Sequence, residues 1–410
     1  MSTTVTTVTG SGVPGATATV RATATPLALE RRPSAARWQR FDAAAAPPQG
    51  GPPTKFYDVE RDELWTVLGP NGEGYRFMLS PYSDIAIGTT GPPGDGETVL
   101  LDLQSGTVTA LLPRWVNFRG WPAATRPLIQ VEGTRPVVYE LDLVPATAMP
   151  LDTRGDRVID RRQFAAPLPP GGGLPGATHV DLVVREDGAR LELVLVAPGA
   201  ERAVASEQGF VGIAPGDRVA TVMARDGGVQ LVDFYGGRVY DLGRYVFSRA
   251  HSWSPDGRYL AIPYWEGRTH MTVAFDLQAL PGAPPRELGR YRDALLVDWR
   301  RDGREALLLG EYCLPGGFAL DRLDLGTGAV TRVPSASRGS WEQAWSPAGD
   351  VIAVSAPDDF VSLIDVATGA RLPTPAFDAS VTRMQSIVGW SASGRWLALE
   401  DVRGSDRCIV

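Results

Sequence analysis

The chain has 410 residues, 43% of them hydrophobic and 21% charged, with a formal net charge of −7. That apolar share supports a sizeable buried core. Residues 1–55 hold six basic and two acidic groups, so with −7 overall the remainder carries −11, a charge that repels phosphate backbones and excludes nucleic acid as the expected partner.

The first 55 residues are rich in Thr, Ala, Pro and Gly and contain no apolar run long enough for an export signal or a membrane helix. They read as a disordered leader ahead of one folded domain over 56–410. The first strand signal is Asp62-Glu63-Leu64-Trp65-Thr66-Val67-Leu68, which ends at the turn sequence Gly69-Pro70-Asn71-Gly72. From there an apolar strand carrying Asp-Leu or a relative recurs around Asp102, Asp142, Leu193, Asp233, Asp276, Asp324 and Asp365, at steps of 40, 51, 40, 43, 48 and 41 residues. The long step contains the Pro- and Gly-rich stretch 167–176, a loop insertion that no strand accommodates.

A tighter repeat occupies the C-terminal part, where Trp253, Trp299, Trp345 and Trp390 stand 46, 46 and 45 residues apart. Each is followed by a polar turn closed by glycine, at Gly257, Gly303, Gly349 and Gly394, and then by a short apolar strand. This is the period of a propeller blade, a four-stranded sheet that cannot bury its faces alone. In the clearest copy strand a ends at Trp253, and strands b, c and d cover 259–264, 271–277 and 286–290. The four tryptophans are expected to pack between neighbouring sheets, because an indole buries a large area. The last unit has a strand ending at Trp390 and two more over 395–400 and 406–410; the 62–68 segment is expected to supply the missing fourth and close the ring. The count favours an all-β, single propeller of eight blades, with seven as the alternative if 157–206 only decorates its neighbour.

The run Trp253-Ser254-Pro255-Asp256-Gly257-Arg258-Tyr259-Leu260-Ala261, echoed at 345–354 and 390–399, resembles the WD40-like repeat of TolB-type β-propellers. It departs from the true WD40 pattern in lacking the Gly-His opening and Trp-Asp closing pairs. The resemblance is strong from 248 onward and faint over 74–247, where Leu79-Ser80-Pro81-Tyr82-Ser83 and Ile213-Ala214-Pro215-Gly216-Asp217 look like eroded copies. It implies binding in general, since such relatives serve as protein-interaction platforms, periplasmic envelope components and gating domains of serine peptidases. Lys55 is the only lysine among 40 basic residues, a skew that resembles the usage of a GC-rich bacterial genome.

No catalytic constellation emerges. His179, His251 and His270 are the only histidines and form no His-x3-His pair, and there is no Cys-x2-Cys and no Gly-x-Ser-x-Gly elbow. The acidic turns at 93–97 and 357–359 lack the alternating ligands of a calcium loop. No catalytic residue, metal or cofactor is assigned. Cys313 and Cys408 fall in different repeat units and read as free thiols of a reducing compartment. With the missing export signal they favour the cytoplasm, an envelope-associated or exported location being the alternative.

Blade topology collects the irregular connections on one face. These carry Trp115 and Arg119, Trp265 and Arg268, Glu311 and Tyr312, and Arg403, the mixture of aromatics and charge that recognition surfaces use. The expectation is a monomeric, non-catalytic binding or scaffold protein that presents this face to a protein or peptide and does not insert into a membrane. The alternative is a propeller-based glycoside hydrolase or lyase, with carboxylates and arginines converging on the central channel.

Overall fold

The computed structural model describes residues 5–7, 27–42, 53–91, 96–123, 126–131, 137–143, 147–150, 157–164, 180–187, 190–197, 200–207, 209–215, 219–224, 226–233, 238–247, 252–280, 282–310, 319–333, 342–356, 359–374 and 385–401. These residues contain strands and turns and no helix. Antiparallel sheets built on four consecutive strands follow one another along the chain, the architecture of a β-propeller.

Among the described residues there are eight sheets, three of four strands and five of five. The first holds Arg76–Leu79, Ile85–Thr89, Thr98–Asp102 and Thr107–Leu112; the second Asn117–Ala123, Arg126–Val131, Val137–Asp142 and Thr147–Pro150. The third runs from Arg157–Phe164 through Val180–Asp187 and Arg190–Ala197 to Ala200–Glu207, so the weakest part of the sequence repeat forms a sheet of its own. The fourth holds Gly209–Ile213, Val219–Ala224, Gly228–Asp233 and Arg238–Arg244. The fifth sets Val246–Phe247 and Ser252–Trp253 along Tyr259–Glu266, followed by Thr269–Asp276 and Arg286–Arg292. The sixth holds Ala294–Trp299, Glu305–Gly310, Ala319–Asp324 and Val330–Arg332; the seventh Gln343–Trp345, Val351–Ala356, Asp359–Asp365 and Arg371–Leu372. The chain divides into two compact units, one of Met1–Thr25, Arg135–Val138 and Pro150–Leu296, the other of Pro26–Thr134, Tyr139–Met149 and Val297–Val410.

The repeat turn explains itself at atomic level. Gly257, Gly303, Gly349 and Gly394 all have φ between +68° and +78°, and each donates its N–H to the carbonyl three residues back. Ser254, Ser346 and Ser391 hold the strand that follows, accepting the N–H of Tyr259, Val351 and Trp396 at 2.8, 3.1 and 3.2 Å. Space, as well as φ, demands glycine at two of these positions. A Cβ on Gly257 would lie 2.1 Å from the carbonyl oxygen of Pro215 in the preceding repeat turn, and one on Gly349 would lie 2.3 Å from Arg300.

Threonines at the head of the third strand tie a sheet to the next. Thr272 donates to the carbonyl of Ala294 at 2.7 Å, and Thr98 to that of Arg114 at 2.7 Å. Thr54 accepts the N–H of Phe77 at 2.8 Å. Apolar contacts fill the same clefts: in the first unit Met223, Leu231 and Tyr240 of the fourth sheet meet Leu260, Val273 and Phe275 of the fifth. Trp299, Trp345 and Trp390 are buried and Trp253 is half-buried. Trp390 donates its indole N–H to the carbonyl of Ala344 in the preceding sheet at 3.1 Å.

The eighth sheet joins both ends of the chain. Gln385–Trp390 and Trp396–Asp401 are followed by Lys55–Asp58, Glu63–Leu68 and, outermost, Arg37–Arg40. The 62–68 segment therefore takes fourth place, as its composition implied. The third place belongs to Lys55–Asp58, whereas 406–410, to which the sequence repeat assigned it, lies outside the described residues. Asp58 earns that position chemically: it accepts Nε and Nη2 of Arg395 at 3.1 and 2.5 Å, as Asp276 accepts the same nitrogens of Arg258 at 3.2 and 3.1 Å.

The leader is paired in part. Leu27–Ala28 lies along the outer strand of the second sheet, Arg32–Pro33 along that of the first, and Val5–Thr7 along that of the fourth. Ser34 and Tyr75 both donate to Glu97, at 3.1 and 2.9 Å. Trp38 stacks on Trp65 with centroids 5.5 Å apart and meets Phe56 and Trp396 edge-on. Lys55 is 1% exposed, its ammonium 4.8 Å from the centre of the Phe41 ring.

Candidate functional site

The fifth sheet supplies the clearest site. Tyr259–Glu266 and Thr269–Asp276 form a hairpin closed by Gly267 and Arg268, and Gly267 has φ +64°, which lets two residues reverse the chain. The register sets Trp265 opposite His270 and Tyr264 opposite Met271. On the other side of the same strand Val246 pairs with Trp265 and Phe247 with Tyr264. The tip thus brings together Val246, 68% exposed, Trp265, 36% exposed, and the exposed Arg268. The Trp265 ring lies 3.4 Å from that of His270, centre to centre, and the planes are tilted by 50°.

A buried layer holds this tip in place. Tyr264 and Tyr245 meet edge-on at 5.0 Å, and Tyr245 donates its hydroxyl to the carbonyl of Leu242 at 2.8 Å. Burial pushes the Tyr245 phenol up to about 12, so it stays neutral. The Tyr264 hydroxyl is buried without a hydrogen-bond partner among the described residues. Asp293, at φ +51°, donates its N–H to the carbonyl of His270 at 2.7 Å and fixes the return strand. An aromatic on a rigid hairpin loses little conformational freedom when it is covered, which is what recognition needs.

Trp115 is half-buried in the second unit, and Arg119 lies in the strand Asn117–Ala123. Glu311, Tyr312 and Arg403 lie outside the described residues, as do His179, His251, Cys313 and Cys408. Trp265 and Arg268 are the two that the structure brings together. Val246 and His270 carry no loop signature in the sequence. His270 was legible in principle, because a two-residue turn at Gly267-Arg268 forces Trp265 and His270 to face each other.

The acids of the inner strands have a different task. Asp298 accepts the N–H of Trp299 at 2.8 Å and that of Trp345, in the next sheet, at 2.7 Å. Burial raises its carboxyl to about 6 despite those two bonds. Glu342 accepts Ser386 Oγ and the N–H of Ile387 at 2.5 Å each. These carboxylates staple successive sheets. Among the described residues no three His, Cys, Asp or Glu side chains are grouped to hold a metal ion, and no helix is long and apolar enough to cross a membrane.

No protein-family model matches the chain, and no curated protein matches it. Among solved structures it is similar to TolB from Acinetobacter baumannii, at 12% identity over 82% of this chain and 80% of that one, with a TM-score of 0.34. It is similar also to the dihydro-heme d1 dehydrogenase NirN in complex with DHE, at 14% identity over 82% and 77%, with a TM-score of 0.48. An oligogalacturonate lyase in complex with manganese is 12% identical over 93% of this chain and 98% of that one, with a TM-score of 0.45. These likenesses assign no activity.

Proposed function

We propose that the chain is a binding protein that presents the Trp265–His270 hairpin to a protein or peptide partner. The observation that carries this reading is the exposed Val246, Trp265 and Arg268 on one rigid tip, an apolar surface beside a cation. Tryptophan and arginine are among the residue types enriched at binding hot spots, where loss of one side chain costs about 2 kcal/mol or more. The net charge of −11 beyond residue 55 favours a protein over a nucleic acid. The staples made by Asp298 and Glu342 speak for carboxylates used in construction.

The test is affinity capture from the native organism, with recovered proteins quantified by mass spectrometry. The Trp265→Ala, Arg268→Ala double variant is expected to lose its specific partner by about tenfold or more while keeping its thermal midpoint. Equal recovery by the variant and the unaltered chain would reject this surface.

A further inference from the structure

In the second unit the N-terminal segment runs along the outer strands of three sheets, and its side chains enter the clefts beside them. Trp38, opposite Val67, reaches the turn of the first sheet: a Cβ on Gly106 would lie 2.6 Å from the indole. Gly106 has φ +70° and donates its N–H to the carbonyl of Asp102 at 2.8 Å. The seventh sheet repeats that turn, with Gly369 at φ +68° donating to the carbonyl of Asp365 at 2.8 Å. There the cleft contains a cavity of about 190 Å³, lined by Thr331, Val333, Ile352, Val366, Ala367 and Gly369 with the arginines and polar residues around them.

Among the described residues nothing pairs with the outer side of Val330–Arg332, all three residues are exposed, and Val330 is 49% exposed. Asp324 donates to the carbonyl of Ala329, and Val333 to that of Leu320, so positions 329 and 333 face the inner neighbour. Antiparallel alternation then turns the N–H and C=O of Val330 and Arg332 outward. Both arginines at the cleft have acidic partners, Arg322 with Glu305 at 3.4 Å and Arg332 with Asp321 at 2.5 Å.

We propose that this cleft accepts an extended segment of a partner protein, which adds a fifth strand to Val330–Arg332 and inserts an aromatic ring against Gly369, as Trp38 does against Gly106. Main-chain hydrogen bonds supply affinity and the ring cavity supplies selectivity. A closed cavity of about 150 Å³ holds benzene, so this half-open one has room for a phenyl or the ring system of an indole. Because the arginines are already paired, selection falls on the ring and not on charge.

The probe is a labelled, blocked peptide of residues 32–42, which carries Trp38, added to the intact chain. Saturable binding is expected, with slowed hydrogen exchange over 330–332. Replacing the peptide's tryptophan by alanine should weaken binding at least about tenfold. In the protein, Ala367→Trp fills the cavity and Val330→Pro removes an outward N–H while leaving the inward pairs; each should weaken binding by a similar factor at unchanged thermal midpoint. Absence of saturable binding, equal binding of the alanine peptide, or protection confined to 63–68 or 107–112 would overturn the proposal. If either protein variant fails to fold, the alanine peptide on the unaltered chain still decides.

Discussion

In the fifth sheet Arg258 grips Asp276, 18 residues along the chain; in the eighth Arg395 grips Asp58, 337 residues away, through the same two nitrogens. Both arginines also lie over the ring that follows them, 4.7 Å from the centre of Tyr259 and 5.0 Å from that of Trp396. The plan is shared, and the use of the aromatics differs. The fifth sheet, made of contiguous chain, keeps Trp265 on its tip. The eighth brings remote segments together against a loop-closure cost, and there Trp396 is buried beneath Trp38 while Trp38 stacks on Trp65. The locally closed sheet leaves the Trp265 indole exposed at its tip, whereas the sheet gathered from both ends uses its indoles as fasteners.

The largest expected effect falls on the eighth sheet. Deleting residues 1–61 removes its third strand together with Asp58, and should abolish cooperative unfolding as followed by circular dichroism. Deleting 1–53 spares that strand and should retain a cooperative transition at a lower midpoint, because Trp38 is lost. Equal midpoints would break the comparison between the two sheets.

An intermediate effect separates two kinds of buried acid. Burial would raise the Asp276 carboxyl, yet the hydrogen bonds from Arg258 and Gln278 outweigh it and hold the group below its ordinary range. Stability from Asp276 is therefore lost as pH falls. Asp298 behaves oppositely: with its carboxyl raised from 3.8 to about 6, the folded chain favours the protonated form, and stability falls as pH rises from about 4 through about 6. The size is on the order of 3 kcal/mol. Asp298→Asn should flatten this slope in urea titrations between pH 4 and pH 7, while an unchanged slope would place the titrating group elsewhere. The smallest effect belongs to Trp265→Ala, expected to change stability by less than about 0.5 kcal/mol, since the indole sits at an exposed tip.

Much of this architecture was legible because it repeats. The Ser254, Ser346 and Ser391 turns recur with their glycines at one spacing, and local chemistry fixes each, so a single chain displays the pattern several times. The third strand of the eighth sheet was hidden because Lys55–Asp58 precedes every repeat landmark, and its signal, an acid waiting for Arg395, is readable only as a pair. Residues 27–40 were hidden for a related reason. Two-residue ladders such as Leu27–Ala28 carry no periodicity, and their pairing depends on edges built by other sheets. At the candidate site, Trp265 and Arg268 stood out by composition, whereas Val246 comes from a strand whose pairing with Trp265 no local pattern announces.

The joined eighth sheet is tested most directly by a double-mutant cycle on Asp58→Ala and Arg395→Ala, read by denaturant unfolding. A coupling energy of about 2 kcal/mol is expected, as for a hydrogen-bonded ion pair whose acid is fully buried. Additivity within about 0.3 kcal/mol would mean that the two residues do not meet, and that the N-terminal strand does not belong to that sheet.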